Sequence, residues 1–183
     1  MVTENHGSHE DCQVTNSKLY DFRFTWTALL KFDTFNTLLR KGGNNTMTRP
    51  DPIDEEYFFE KGLIVSSTDL KGIITYANRK FCEIAGYTKD ELVGKNHNIV
   101  RHPDMPKAAF QEVWDTIQGG KEWTGIVKNL RKDGRYYWVY SHIAPIVVDD
   151  EVTGYTAARR PASETEIAET IPIYRDLLEK ESN

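Results

Sequence analysis

The feature that most restricts the fold of this chain is a run of three strand-like segments in its C-terminal half. They are "EWTGIVKNLRK" (122–132), "RYYWVYSHIAPIV" (135–147) and "VTGYTAARR" (152–160). The connections "KDGR" and "VDDEV" are short and have the composition of hairpin turns. The pattern therefore predicts three consecutive antiparallel strands.

Two shorter β-branched runs lie upstream and predict another hairpin. "GLIVSSTD" (62–69) and "GIITYAN" (72–78) are separated only by "LK". Runs of this length, closed by turn-forming residues, are typical of paired strands. With the three downstream segments they make five predicted strands.

Helical segments separate the two groups of strands. Asn78 is a predicted N-cap for "RKFCEIAGY", and Gly86 is expected to end that helix. Thr88 and Glu91 have the spacing of a capping box at the start of "TKDELVG". "KAAFQEVWDTIQ" follows Pro106 and carries its large apolar residues on one side. Three short helices are therefore expected between the second and third strands.

The chain ends in a predicted helical segment, "SETEIAETIPIYRDLLEK". Ser163 and Glu166 form a second capping box. Pro172 is expected to break or restart this helix, because proline removes a helical hydrogen bond. The element order predicts an α+β fold: a five-stranded antiparallel sheet with short helices on one face and a C-terminal helix. A ligand would then lie between sheet and helices.

The chain divides into three predicted parts. Residues 1–50 form an unstructured N-terminal extension or upstream sequence translated from a misplaced start, since Met47 opens a chain long enough for one domain. A short docking element within this part is the alternative. Residues 51–162 form the main domain, and residues 163–183 the C-terminal helical segment.

Composition narrows the range of partners. The formal net charge of -5 and the 39% hydrophobic content are typical of a soluble globular protein and do not favour nucleic acid or an anionic membrane as the partner. The two cysteines fit neither a disulfide framework nor a CxxC metal site. No apolar run is long enough to span a membrane, and the N-terminus lacks signal-peptide character. A cytoplasmic location is expected.

Residues 96–110, "NHNIVRHPDMPKAAF", concentrate two histidines, an arginine, an aspartate and two prolines in one segment. A hydrolase site, a metal, a haem or an anionic cofactor would each use such residues. His97 and His102 lie five positions apart across a turn without a further ligand at suitable spacing, which is a poor zinc pattern. GxSxG, P-loop and GxGxxG motifs are absent from the sequence, so catalysis is not expected.

Several stretches resemble a known family. "ITYANRKFCEIAGYTKDELVGKN", "RHPDMPKAAF" and "WTGIVKNLRKDGRYYWV" are similar to PAS sensor domains, and specifically to the FAD-binding PAS domain of bacterial aerotaxis (energy-taxis) transducers. The resemblance covers about residues 60–175. It implies the PAS fold, FAD as cofactor, and a role as a redox sensor without enzymatic activity.

The resemblance also implies a partner. Transducers of this family continue into a membrane anchor, a HAMP linker and a methyl-accepting signalling domain, whereas this chain stops soon after the closing helix. It therefore resembles the standalone PAS proteins of bipartite energy-taxis receptors. We expect it to signal in trans, to the HAMP region of a membrane-bound methyl-accepting chemotaxis transducer, without inserting into the membrane. A homodimer is a further expectation.

The resemblance directs attention to polar residues that suit FAD, which presents two phosphates and a dipolar ring edge. Arg101 is expected to contact phosphate or ribose, His102 to donate a hydrogen bond, and Asp104 to fix Arg101 or cap the following helix. The alternative is that Asp104 is only an N-cap and Arg101 its ion-pair partner. Asn129 is expected to face inward and meet the flavin N5 or O4 edge; the alternative is a strand-end turn. Asn78 is either a flavin contact or a helix cap.

Aromatic residues supply the expected walls of the site. Trp114 and Trp123 would flank the flavin ring, although such residues are also ordinary core. Two further functions stay open beside the flavin sensor. One is a PAS module that binds haem or another ligand, and the other is a ligand-free PAS dimerisation adaptor.

Overall fold

The computed structural model of the protein describes residues 49–183. The predictions for the N-terminal extension concern residues outside this part, except for its last two positions. The strands form one five-stranded antiparallel sheet with the order β2-β1-β5-β4-β3, which confirms the predicted fold class. The strands are β1 (Ile64–Thr68), β2 (Ile74–Ala77), β3 (Trp123–Leu130), β4 (Tyr136–Val148) and β5 (Glu151–Pro161).

Short helices connect β2 to β3, and a long helix follows β5. Their bounds are α1 (Arg79–Ala85), α2 (Lys89–Leu92), a 3-10 helix (His97–Val100), α3 (Lys107–Gln118) and α4 (Glu164–Ser182). The predicted N-cap at Asn78 and the capping boxes at Thr88 and Ser163 are all present. Gly86 ends α1 in the left-handed conformation, with φ of 76°. Local sequence chemistry therefore accounts for most helix ends.

Strand register decides which residues face the helices. Val127 lies opposite Val139, and Asn129 opposite Tyr137, so these four side chains share one face of the sheet. Val139 and Tyr137 are almost fully buried, which marks this as the inner face. Lys128 and its partner Trp138 point to the outer face. The hydrophobic core lies between the inner face and the helices α1, α2 and α3.

Helix α4 runs through Pro172 without interruption, so the predicted break is wrong. Proline removes the hydrogen bond that the Ala168 carbonyl would accept, but Ala168 and Pro172 are both exposed and water can satisfy that carbonyl. Polar contacts hold the helix to the rest of the domain. Near its start, Glu166 pairs with Arg160 of β5 at 2.6 Å. The Tyr174 hydroxyl donates to the Ile126 carbonyl of β3. The Glu181 carboxylate accepts from the Ala108 amide, at 2.8 Å, in the first turn of α3.

Within residues 49–183, no helix is both long and apolar enough to cross a membrane.

Candidate functional site

A buried polar cluster lies on the inner face of the sheet. Arg159 of β5 is only 7% exposed. One of its terminal nitrogens donates to the Ser66 hydroxyl at 2.9 Å, and the other lies 3.2 Å from Nε2 of His97. The Ser66 hydroxyl oxygen also lies 3.1 Å from Nε2 of His97. We call these three residues the interior cluster.

The interior cluster carries a positive charge that no acidic side chain of the described residues neutralises by an ion pair. Burial lowers the pKa of Arg159 to about 10, so the guanidinium stays protonated at neutral pH. Burial, and then the nearby Arg159 charge, lower the pKa of His97 to about 3. His97 is therefore neutral, and its Nε2 serves as an acceptor. A buried cation without an anionic partner is costly to the fold, which is typical of a ligand site rather than of a structural core.

Unused hydrogen-bonding groups lie on the same face. The Tyr137 hydroxyl and the Ser141 hydroxyl are buried and have no partner. Ser141 lies directly opposite Arg159 in the sheet register. Asn129 is 5% exposed, and among residues 49–183 its side chain has no hydrogen-bond partner. Each unpaired buried polar group costs about 1–3 kcal/mol, so a polar ligand on this face would recover that free energy.

The RHPD loop, residues 101–104, lies along the free edge of β3. Arg101 forms an isolated antiparallel bridge with Asn129. The His102 amide donates to the Lys128 carbonyl at 3.4 Å, and the Lys128 amide donates to the Met105 sulfur at 3.3 Å. These contacts satisfy the edge of the strand and hold the loop beside the inner face.

Side chains of the RHPD loop are largely satisfied within the chain. The Arg101 guanidinium lies over the Phe110 ring, 4.0 Å from its centroid, and donates to the Met105 carbonyl at 3.2 Å. His102 is 3% exposed, and its Nδ1 accepts from the Asp104 amide at 3.2 Å. Burial, and then the Lys128 charge, lower the pKa of His102 to about 4. The ring is therefore neutral at physiological pH.

Asp104 lies at the surface, with 62% of its side chain exposed, and pairs with Lys128 at 2.8 Å. Desolvation is the largest single effect and raises the pKa of its carboxyl, but the hydrogen bond and the charge of Lys128, with a contribution from His102, together lower that pKa overall. The predicted role of Asp104 as the cap of α3 is not found. The N-cap of α3 is Pro106, without a side-chain hydrogen bond. Glu181 instead satisfies an amide of that first turn.

Asn78 uses its amide to join α1 to β1. Its oxygen accepts from the Phe81 amide at 2.8 Å and from the Val65 amide at 3.1 Å, and its nitrogen donates to the Leu63 carbonyl at 2.8 Å. In the sheet, β1 is separated from β3 by β5 and β4. The structure therefore places Asn78 in a structural role at a distance from the RHPD loop.

The two tryptophans lie in the layer between α3 and the sheet. Trp123 is almost buried at the start of β3, and its indole nitrogen lies 3.4 Å from the Glu112 carboxylate. Trp114 of α3 packs edge to face on Tyr155, with ring centroids 5.7 Å apart. Both contribute to the wall between helices and sheet.

The structure thus brings together Arg101, His102, Asp104 and Asn129 at the β3 edge, and it adds residues that sequence reasoning did not select. Ser66, Tyr137, Ser141 and Arg159 were not proposed as site residues, and His97 was considered only as a metal ligand. One signal was present for Arg159, which shares strand parity with the inward residues Tyr155 and Ala157. An arginine in that series predicts a buried cation.

The interior is closely packed beside these groups. A cavity of about 10 Å³ lies between α3 and β3. That is at most the space for a single water molecule. Its walls are formed by Met105, Ala109, Phe110, Val113, Trp123, Val127 and Tyr174.

Comparison with known proteins agrees with this geometry. Residues 74–158 match the PAS fold family. A solved PAS domain from Colwellia psychrerythraea has 26% identity and a TM-score of 0.52, and the match covers 56% of this chain and 87% of that one. A light-oxygen-voltage domain solved in work on a flavin analogue has a TM-score of 0.54 at 24% identity, over 62% of this chain and 86% of that one. These comparisons show that this part of the chain has the PAS fold.

Among proteins of known role, the aerotaxis receptor of Escherichia coli (strain K12) is 48% identical over 62% of this chain, and the match covers 22% of that receptor. The nitrogen fixation regulatory protein of Klebsiella pneumoniae is 31% identical over 57% of this chain and is covered over 21% of its length. The chain thus spans about a fifth of each relative. The similarity confirms the resemblance to sensory PAS domains of the aerotaxis type.

Proposed function

We propose that this PAS domain binds FAD non-covalently between the sheet and the helices, and that the redox state of the FAD is the signal. The observation that carries this proposal is the buried Arg159 cation of the interior cluster, together with the Tyr137 and Ser141 hydroxyls on the same face of the sheet, which have no partner. The similarity to the Escherichia coli aerotaxis receptor supports the same function. The protein acts as a sensor in the cytoplasm, without a catalytic role.

The residues present fit a flavin. Its pyrimidine edge combines carbonyl oxygens with a ring N–H, so it needs a cation or N–H donors and at least one acceptor. Arg159 supplies the donors, and the hydroxyls of Tyr137 and Ser141 supply either function. Asn129 presents an amide that both donates and accepts. The apolar residues of α3 and Trp123 supply the faces against which a flat ring packs.

Binding requires the helical side of the domain to open. The cavity between α3 and β3 holds only about 10 Å³. The RHPD loop and α3 therefore have to shift away from the sheet as the ligand enters. The contacts of this loop with β3 are one bridge, a few single hydrogen bonds and the largely exposed pair of Asp104 with Lys128. We therefore expect this side of the site to open more readily than the five-stranded sheet.

Signalling uses side chains that can switch hydrogen-bonding partners. Bound FAD supplies a redox centre whose N5 changes from acceptor to donor on reduction. The Asn129 amide can follow that change by rotating. Its NH2 group would donate to N5 of oxidised FAD, and its oxygen would accept from N5–H of reduced FAD. A difference of about 1–3 kcal/mol at one buried contact shifts a two-state population by about tenfold or more. Because Arg101 bridges Asn129, the shift reaches the RHPD loop.

The output surface is the part of the domain next to that loop. Helix α4 contacts β3 through Tyr174 and α3 through Glu181, so a shift of the loop and α3 alters how α4 docks. A membrane-bound chemotaxis transducer would read this surface in trans, through its HAMP region. The measurement is the affinity of the purified protein for such a transducer with the FAD oxidised and reduced. Equal affinities for oxidised and reduced protein would contradict the proposal that the transducer reads the redox state through this surface.

The absorption spectrum of freshly purified protein tests the cofactor. Oxidised flavin gives bands near about 370 and 450 nm, whereas a haem gives a Soret band near about 400 nm. Mass spectrometry of the released cofactor is expected to give FAD. Asn129→Ala is expected to weaken flavin retention, and Lys132→Ala, at a surface pair with Glu91, is the matched control. A colourless protein that also fails to take up added flavin would falsify the proposal.

A ligand-free PAS adaptor is the second candidate, because the close packing around the small cavity is what an empty module needs. A ligand-free module gains nothing from the buried Arg159 cation, which has hydrogen bonds to Ser66 and His97 but no anionic partner. The same absorption spectrum distinguishes the two candidates. Added FAD gives a second test, because it raises the thermal midpoint of unfolding only for a domain that binds it.

A further inference from the structure

The chain enters the domain through a short extended segment that pairs with the first residue of β4. The Tyr136 amide donates to the Glu55 carbonyl at 3.0 Å, and the Tyr57 amide donates to the Tyr136 carbonyl at 2.7 Å. These two bonds form a single parallel bridge, in which Glu56 is the partner of Tyr136. We call residues 53–59 the entry strap.

The entry strap lies on the side of β4 that β5 occupies further along. Strand β5 pairs with β4 from Val139 to Val148, whereas the strap pairs with β4 at one position. Between the two, where the chain leaves β5 for α4, the Ala162 amide donates to the Trp138 carbonyl at 3.3 Å. Segments with few backbone hydrogen bonds open locally at a lower free energy than a continuous sheet, so we expect the strap to open more readily than β5.

One aromatic side chain of the strap packs on the turn between β3 and β4. The guanidinium carbon of Arg131 lies 3.7 Å from the centroid of the Tyr57 ring. Arg131 is itself held in place, because it pairs with Asp133 at 3.2 Å and donates to the Ile84 carbonyl in the last turn of α1. These contacts include no residue of the interior cluster.

A second aromatic side chain of the strap reaches the candidate flavin site. The Phe59 ring packs edge to face on Tyr137, with ring centroids 6.2 Å apart and the planes at 76°. Tyr137 is buried opposite Asn129, and within residues 49–183 its hydroxyl has no partner. Phe58, between the two packed rings, is 77% exposed. A ligand that gives the Tyr137 hydroxyl a partner therefore fixes the ring on which Phe59 packs.

We propose that the entry strap responds to the ligand: FAD bound at the interior cluster fixes Tyr137 and, through Phe59, holds the strap closed on the start of β4. The inference rests on the proposed function, because it takes FAD as the ligand that Tyr137 meets. It goes beyond that function by giving the domain a second responsive element, at its entry, in addition to α4 at its exit. The free domain releases the strap more often than the occupied one.

Hydrogen exchange of assigned backbone amides, with and without FAD, measures closure of the strap. The three reporters are the hydrogen-bonded amides of Ile53, Tyr57 and Tyr136. FAD is expected to slow their exchange about tenfold, because a ligand that favours the closed form suppresses local opening. The Gly120 amide, which donates to the Ile117 carbonyl at the opposite end of the β3–β4 pair, is the internal control. Its exchange is expected to change by less than about twofold.

Two neighbouring phenylalanines give a matched pair of variants. Phe59→Ala is expected to keep FAD affinity within about threefold and to reduce the effect of FAD on the strap amides to less than about twofold, because the contact with Tyr137 is lost. Phe58→Ala changes the exposed neighbour and is expected to keep the whole effect. Flavin absorbance of the same samples measures how much FAD is bound. If Phe59→Ala does not fold, exchange in the unaltered protein decides the inference by itself.

Three results, each obtained with FAD bound, would overturn the inference while the proposed function stands. They are unchanged exchange of the three strap amides, equal slowing of the strap amides and the Gly120 amide, and a full effect of FAD in Phe59→Ala. An unaltered protein that takes up no FAD removes the proposed function, and the responsive strap with it.

Discussion

The interior cluster and the RHPD loop contain the same types of residue but differ in how their charges are compensated. Both combine an arginine with a histidine whose pKa is lowered by burial. In the loop, Asp104 pairs with Lys128, and Arg101 is satisfied by the Met105 carbonyl and the Phe110 ring. In the interior, Arg159 has only Ser66 and His97 as hydrogen-bond partners among the described residues.

This difference indicates what each region is for. A loop whose charges are paired within the chain is stable without a ligand and is suited to hold the edge of a strand. A buried cation with neutral partners lowers the stability of the free domain and gains most from a polar ligand. Under the proposed function, we therefore expect the interior cluster to recognise the flavin ring and the RHPD loop to support the edge of β3 and to move as the ligand binds.

The largest effect is expected from Arg159→Met. Loss of a buried charge-assisted contact of about 2–3 kcal/mol predicts FAD affinity lower by about a hundredfold, with an apoprotein as stable as before or more so. Calorimetric titration and urea unfolding measure the two quantities. Arg160→Met, the neighbouring outer-face residue paired with Glu166, is the control and is expected to keep FAD affinity. An apoprotein strongly destabilised with FAD binding intact would make Arg159 a structural residue.

The next effect concerns pH. The pKa of His97 falls from its usual 6.5 to about 3 on folding, so the unfolded chain takes up the proton first. Stability is therefore lost as pH falls from about 6.5 towards 3, by at most about 1.4 kcal/mol per pH unit for this group. His102, whose folded pKa is about 4, acts in the same direction.

Urea unfolding of the apoprotein between pH 7 and about 4.5 measures this dependence. His97→Gln is expected to reduce the slope, and His102→Gln to reduce it also. If His97→Gln left the pH dependence of the free energy of unfolding unchanged, the His97 ring would already be protonated beside Arg159. The interior cluster would then not be the neutral-partnered site contrasted here with the RHPD loop.

A smaller effect is expected from Tyr137→Phe. The change removes a buried hydroxyl without a partner, so the free energy of unfolding of the apoprotein should rise by up to about 1 kcal/mol. FAD affinity should fall, by less than about tenfold, because one ligand contact is lost. Tyr140→Phe is the control on the outer face. A less stable apoprotein would mean that the hydroxyl already has a partner in solution.

The smallest effect is expected from Asp104→Asn in the RHPD loop. Its pair with Lys128 is largely exposed, and such pairs contribute about 0–1 kcal/mol. Thermal unfolding and FAD titration should both change little. A loss of FAD affinity as large as that of Arg159→Met would move flavin recognition from the interior cluster to the loop.

Local chemistry was readable from the sequence alone. Strand parity placed Asn129 on the inner face, and the caps at Asn78 and Ser163 followed from residue type and spacing. The five-stranded sheet followed from the strand-like runs and their turns. These features depend on residues that are neighbours along the chain, so a short window contains the necessary information.

The partners of side chains that meet across long sequence separations could not be predicted from the sequence in the same way. Lys128 takes Asp104 as its partner across 24 positions, and Arg159 meets Ser66 across 93. Glu181 reaches the first turn of α3 across 73 positions, which leaves Asp104 without the capping role expected from its place in the sequence. Pro172 also stays within a helix, because solvent covers the carbonyl it leaves unbonded.

The sequence by itself determined the PAS fold, the ends of most helices and the inward direction of Asn129, because periodicity and capping act over a few residues. Only the tertiary structure decided that Arg159, Ser66 and His97 meet in the interior and that the charges of the RHPD loop are already satisfied. Hydrogen bonds and ion pairs depend on distances between atoms, and those distances are set when strands far apart in the chain pair in register.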